Sequence, residues 1–143
     1  MRLLITGSRS WVDVQLIDYV LAAFSQADGV TLVSGACPDG ADRICEHLAG
    51  VLGWTIERHP ADWATHGRRA GFLRNRHMVE LGADVCLAFI SACTSPRCTQ
   101  AGGRHLSHGA THTAALAHSA GIPTYRFHAK IPDPLPGSAA VTP

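Results

Sequence analysis

Thr6-Gly7-Ser8-Arg9 and the stretch from Ser34-Gly35 to Gly40 and Asp42 bring together glycines, small hydroxyls, a guanidinium and a carboxylate, each stretch directly behind an apolar run. Glycine lets backbone N–H groups come close to a ligand, and a hydroxyl or guanidinium adds directed donors. A helix starting there would add its positive end, so the chemistry is anion binding, phosphate above all. Ser107 to Thr113 repeats the pattern through Gly109, Thr111 and Thr113. Asp42 has two readings, a helix cap or a partner for a ribose hydroxyl.

Proton chemistry has fewer candidates. His59 and Asp62, in His59-Pro60-Ala61-Asp62-Trp63, are of the right types for a general acid and base. His112 reads either as a proton or phosphate donor or as an ordinary first-turn helix residue. Trp63 reads as a base-stacking surface or as cover for the rim of the core. Arg58, Arg68, Arg69, Arg74 and Arg76 form a basic cluster. Arg68, Arg69 and Arg76 are expected on solvated faces, whereas Arg74, near the start of a helix, suits a ligand phosphate. Asn75 beside it would fix the loop or meet a base edge, and Glu57 is expected on an exposed strand face.

A separate set, Cys93, Cys98, His105 and His108, stands at the spacing C-x4-C-x6-H-x2-H. Zinc accepts two thiolates and two imidazoles in a closed tetrahedral site, and a long loop poor in apolar residues needs something to order it. The spacing matches no standard finger. The competing reading is a free loop that closes over the ligand.

Strand-like and helix-like segments alternate along the chain. Strands are expected at Arg2 to Thr6, Val30 to Ser34, Trp54 to Arg58, Ala83 to Ile90 and Pro123 to Phe127. Helices are expected at Val12 to Ala27, with Val12, Leu16, Val20, Leu21 and Phe24 on one face, and at Ala41 to Leu52, Phe72 to Leu81 and Thr111 to Ser119. This alternation predicts an α/β, Rossmann-like, doubly wound parallel sheet of five strands in the order 3-2-1-4-5, its ligand crevice beyond the strand C-termini. One domain is expected over residues 1–128 with an irregular insertion at 91–108, followed by a disordered tail from Ala129 to the end, rich in Pro and Gly.

The chain has 143 residues with twelve Lys+Arg against eleven Asp+Glu, a net charge of +1. That balance argues against holding nucleic acid by bulk electrostatics. No apolar run is long enough to span a bilayer and no cleavable leader opens the chain, so a cytoplasmic protein is expected. Five cysteines are an odd number, which argues against a disulfide framework. Cys45 and Cys86, inside apolar patterns, are expected in the core.

Taken together, Thr6 to Arg9, Ser34 to Asp42, His59 to Trp63, Gly67 to Asn75 and Ser107 to Thr113 resemble the YpsA-related branch of the SLOG superfamily, Rossmann-like proteins common in actinobacteria and their phages. The Ser34 to Asp42 turn is similar to one in the DNA-processing protein DprA. Arg74-Asn75-Arg76-His77-Met78, followed by Ala83-Asp84, is similar to a segment of the LOG phosphoribohydrolases. The resemblance implies a nucleotide or nucleotide derivative bound at the strand C-termini. It also sets Thr113 where the LOG enzymes carry their catalytic glutamate. A hydrolase would therefore have to recruit Asp39, Asp42 or Asp62 from another loop, with His59 or His112 as proton donor.

Three functions follow in order: a nucleotide-binding sensor or module, an N-glycosidic or phosphoribosyl hydrolase, and a DprA-like nucleic-acid binder. The expected partner is a small nucleotide derivative, with homo-oligomerisation left open. A structural zinc is the cofactor in question.

Overall fold

The computed structural model describes residues 1–99 and 105–129. Its strands are β1 (Arg2–Gly7), β2 (Thr31–Ser34), β3 (Thr55–Arg58), β4 (Val85–Ile90) and β5 (Thr124–His128). The helices are α1 (Val14–Ala22), α2 (Gly40–Val51), α3 (Trp63–His66), α4 (Ala70–Glu80) and α5 (His108–Ser119), with a 3-10 turn, Gly67–Arg69, joining α3 to α4. All strands run parallel in the order β3-β2-β1-β4-β5. This is the doubly wound, Rossmann-like sheet that the alternation predicts.

The central strands are apolar on both sides, and the period of two sorts their residues between two cores. Ile5, Leu32, Leu87 and Phe89 face Ile17, Val20 and Leu21 of α1 and Ala41, Cys45 and Ala49 of α2. Leu4, Val33 and Cys86 turn the other way onto Met78 and Val79 of α4 and Ala117 of α5. Ala88 and Ile90 extend that second side against Ala110 and Ala114. Cys45 and Cys86 are buried, and none of the five cysteines is in a disulfide.

Three departures from the pattern have physical reasons. Helix α1 starts at Val14 because Asp13 caps it, its Oδ1 accepting the Leu16 N–H at 3.0 Å. Val12, placed by periodicity on the apolar face, therefore lies outside the helix and is 83% exposed, while Trp11 fills the core edge-on to Phe89. Helix α5 begins at His108, three residues before the expected Thr111. The expected disordered tail falls from residue 130 on outside the described residues; Ala129 itself is anchored, its N–H donating to the Ile90 carbonyl at 3.0 Å.

Candidate functional site

Beyond the C-termini of β1 and β4 lies a cleft of about 480 Å³. It opens where the chain order of the sheet reverses around β1, the place where doubly wound sheets hold ligands. Its lining includes the β1 end from Thr6 to Ser10, then Gly35, Cys37, Asp42, Arg74 and Asn75. Trp63, Arg68 and Phe72 form a rim, and the far wall runs from Ala92 to Pro96 and from Ser107 to Ala110.

The β1 end is fixed by packing. A Cβ on Gly7 would overlap that of Ala41 and stand 3.0 Å from the Phe89 carbonyl, so this glycine serves the seating of α2 on the sheet. Ser8 is buried, donating its N–H to the Phe89 carbonyl while its hydroxyl accepts the Ser91 N–H, both at 2.9 Å. Gly40 has φ +68°, and a Cβ there would run into the Ser8 and Arg9 backbone. That close approach lets the Ala41 N–H donate to the Ser8 carbonyl at 3.2 Å. The Ala41 N–H at the start of α2 is thus satisfied by protein, and α1 starts at Val14, past the Ser10 end of the cleft lining. Of the three expected helix N-termini, that of α5 lines the cleft through His108, Gly109 and Ala110, and that of α2 reaches it through Asp42 in its first turn.

Asp42 sits in the first turn of α2, buried, with Oδ2 accepting the Cys37 N–H at 3.2 Å. Burial raises its pKa from 3.8 to about 6, against the hydrogen bond from Cys37 and the charge of Arg74, which pull it down. Arg74 ties three segments together. Its Nη1 donates to the carbonyls of Gly35 and, at 3.3 Å, His59, and its Nε donates to Asn75 Oδ1 at 2.8 Å. A side chain on Gly35 would displace this guanidinium.

Several expected site residues lie elsewhere. Ser34 is wholly buried, its hydroxyl accepting the Ala36 N–H in a local turn. Thr111 and Thr113 are inside α5 and give their hydroxyls to the carbonyls of Ser107 and Gly109, Thr113 being fully buried. His59 and Asp62 line a second, shallower cavity with Arg58, His66 and His77, and Arg74 borders both cavities. Asp62 is the N-cap of α3, and its bonds to Thr65 lower its pKa. His112 packs edge-on to Phe72; desolvation lowers its pKa, and its buried Nδ1 has no hydrogen-bond partner among the described residues.

Other residues were missed by the sequence reading. Arg68, expected on a solvated face, lines the cleft with Phe72. Glu57 is half-buried and binds Arg2 through both oxygens at 2.7 and 3.0 Å, and His59 Nε2 at 2.7 Å. Those two partners bring its pKa down to about 2. The usable signal for Arg68 was its place in a loop at the C-terminal edge of the sheet. Cys93, Cys98, His105 and His108 do come together, their ligand atoms all within 4.8 Å of one another.

A family model described as the YspA, cpYpsA-related SLOG family matches residues 1–66. The Gene 61 protein of Mycobacterium phage D29 is 39% identical over 133 residues, spanning 88% of this chain and 95% of that protein. The chain belongs to the YspA, cpYpsA-related SLOG family. No solved structure matches it. In this family member the matched residues 1–66 hold β1, β2 and β3 with their loops, while β4 and α5, which complete the cleft, follow after them. No helix among the described residues is long and apolar enough to cross a membrane.

Proposed function

We propose that this SLOG protein binds a nucleotide or nucleotide derivative in the cleft at the β1–β4 seam and acts as a cytoplasmic sensor or binding module. The observation that carries this reading is the make-up of the lining. Arg9, Arg68 and Arg74 share the cleft with the Trp63 and Phe72 rings and the first turn of α5. Cations and helical N–H groups suit phosphate, and aromatic faces suit a base. Trp63 is 52% exposed, leaving a face to stack on.

Binding without turnover is favoured by where the proton-transfer candidates stand. His59, Asp62 and His112 are absent from the cleft lining, and Asp42 already accepts the Cys37 N–H. The raised pKa of Asp42 supports the N-glycosidase reading as the alternative, because a carboxyl that titrates near 6 can act as an acid or base close to neutrality.

Calorimetry with nucleoside monophosphates, ADP-ribose and NAD tests the proposal, with chromatography following base release in the same samples. The expected result is binding of at least one of them, weakened roughly tenfold or more by Arg9→Ala, the loss of about 1.5–3 kcal/mol from a charge-assisted hydrogen bond, and no release of base. Turnover abolished by Asp42→Asn would establish the hydrolase instead. Silence of the whole panel in calorimetry would remove the nucleotide reading.

A further inference from the structure

The geometry points to a closed tetrahedral zinc site formed by Cys93, Cys98, His105 and His108, which pins the far wall of the cleft. It goes beyond the proposed function, because the metal can be present or absent whatever the cleft binds.

The backbone brings the four residues together from three places. Ala92 and Leu106 form an antiparallel bridge, flanked by hydrogen bonds from the Cys93 N–H to the His105 carbonyl at 2.7 Å and from the Ser107 N–H to the Ser91 carbonyl at 2.9 Å. This two-rung ribbon sets Cys93 opposite His105. A turn closed by the Cys98 N–H on the Ser95 carbonyl at 3.2 Å returns Cys98, and His108 opens α5. Cys98 Sγ lies 3.1 Å from His105 Nε2 and 3.3 Å from His108 Nε2, and the two Nε2 atoms are 3.0 Å apart. Ligands on a tetrahedral zinc, with bonds of about 2.0–2.3 Å, stand roughly 3.3–3.8 Å from one another. The cluster is already close to that size.

Protons alone satisfy this arrangement poorly. Two Nε2 atoms and a sulfur form a closed triangle, and a neutral imidazole offers at Nε2 either a hydrogen or a lone pair. One cation at the centre accepts all the lone pairs at once. Two thiolates and two neutral imidazoles match the donor preference of zinc and cancel its charge, the two thiol protons leaving to solvent. Four protein ligands leave no open position, so the ion is structural.

Its structural duty is visible in the core. Between Ile90 and Ala110 no described residue belongs to the buried apolar set. Hydrophobic burial therefore does not hold this segment, although Cys93 and His108 line the cleft directly. The ion would tie the β4 exit to the α5 start and so fix the cleft wall.

The test is the metal itself. Untagged full-length protein, purified without chelator, is expected to hold about one zinc per chain by elemental analysis. Replacement by Co²⁺ should give the visible bands of a tetrahedral ion and thiolate-to-cobalt charge transfer. Cys98→Ser and His105→Asn should lose the metal with the far-UV circular dichroism of the sheet retained, whereas His118→Asn, on the exposed far end of α5, should keep it. Should the ligand variants fail to fold, the wild-type cobalt spectrum decides. Absence of zinc together with no Co²⁺ uptake, a cobalt spectrum without thiolate bands, or a folded Cys98→Ser that keeps full metal would each overturn the site. None of these readouts requires a nucleotide.

Discussion

The two walls of the cleft are held by different means. On the β1 side, from Thr6 to Ser10 and across to Asp42, glycines, a buried serine and backbone hydrogen bonds lock the loops onto the sheet. On the side from Ala92 to His108, the described residues contribute nothing to the apolar core, and the side chains of Cys93, Cys98, His105 and His108 gather instead. The first wall is part of the fold. The second lacks that apolar anchorage and gathers polar side chains and the Cys/His cluster proposed above as a zinc site, so the cleft joins a wall packed into the core to one that is not.

The largest effect should come from breaking the first wall. Gly7→Val places methyl groups where Ala41 and the Phe89 carbonyl already stand, and is expected to cost about 3 kcal/mol or more in urea denaturation. Gly50→Ala is the contrast: it lies in α2 with open space around its Cβ position and should be neutral or stabilising by up to about 1 kcal/mol. Equal losses in both would contradict the packing account of Gly7.

Next in size is the electrostatic cost of that rigidity. The folded-state pKa of Asp42 is raised from 3.8 to about 6. Between those values the folded protein keeps a proton that the unfolded chain has lost, so stability falls as pH rises from about 4 to 6 and stays lower above. Asp42→Asn should remove this slope and gain on the order of 2–3 kcal/mol at pH 7 relative to wild type. Urea midpoints at pH 4 and pH 7 check it, and a variant that keeps the wild-type slope would assign the titration to another group.

Amide hydrogen exchange sharpens the comparison. Stripping metal is expected to accelerate exchange in residues 91–99 and 105–107 by tenfold or more, equivalent to about 1.4 kcal/mol of local stability. The amides of β1 and α2 should be unmoved. Uniform acceleration would mean that the two walls are one cooperative unit.

The smallest effect is expected at Glu57. Its pKa is lowered from 4.5 to about 2, first by Arg2 and then by His59. Its contribution is therefore present above pH 4.5 and is lost as pH falls toward 2, the reverse of Asp42. Solvent screening at this partly exposed pair limits the effect of Glu57→Gln to about 1 kcal/mol at pH 7. Thermal melts at pH 7 and pH 3 should show the gap between variant and wild type narrowed at the lower value, closing fully only as pH approaches 2.

The strand order was legible in the sequence because continuous apolar runs at Leu3 to Ile5 and Val85 to Ile90 mark strands buried on both faces, and the alternation with helices leaves few topologies. The loops that carry the site were legible for the same reason, since they had to fall at the C-terminal edge. What the pattern did not contain was the direction of each side chain. Thr113 and Ser34 look like phosphate ligands by type, yet a hydroxyl can also satisfy a nearby backbone group, and here each does so. His59 and Asp62 sit on the correct edge but beyond Arg74, whose bonds to the loops divide one cavity from the other. Cys93, Cys98, His105 and His108 were legible as a spacing. Their convergence depends on the Ala92–Leu106 bridge, which joins residues with no period to announce it.

The order in which the chain is synthesised differs from the order in which the sheet is arranged. β1 is the middle strand, pairing Leu3 with Leu32 on one side and with Val85 on the other. The β3-β2-β1 half closes through one helical crossover per strand pair, α1 and then α2, whereas β4 pairs with β1 only after both crossovers, β3, α3 and α4 have intervened, and such long-range pairing is slow. The cleft lies along that late seam. A nascent or refolding chain can therefore form half of its sheet, the half that the family model covers, and still have nowhere to hold a ligand; binding competence should arrive with the slowest refolding phase.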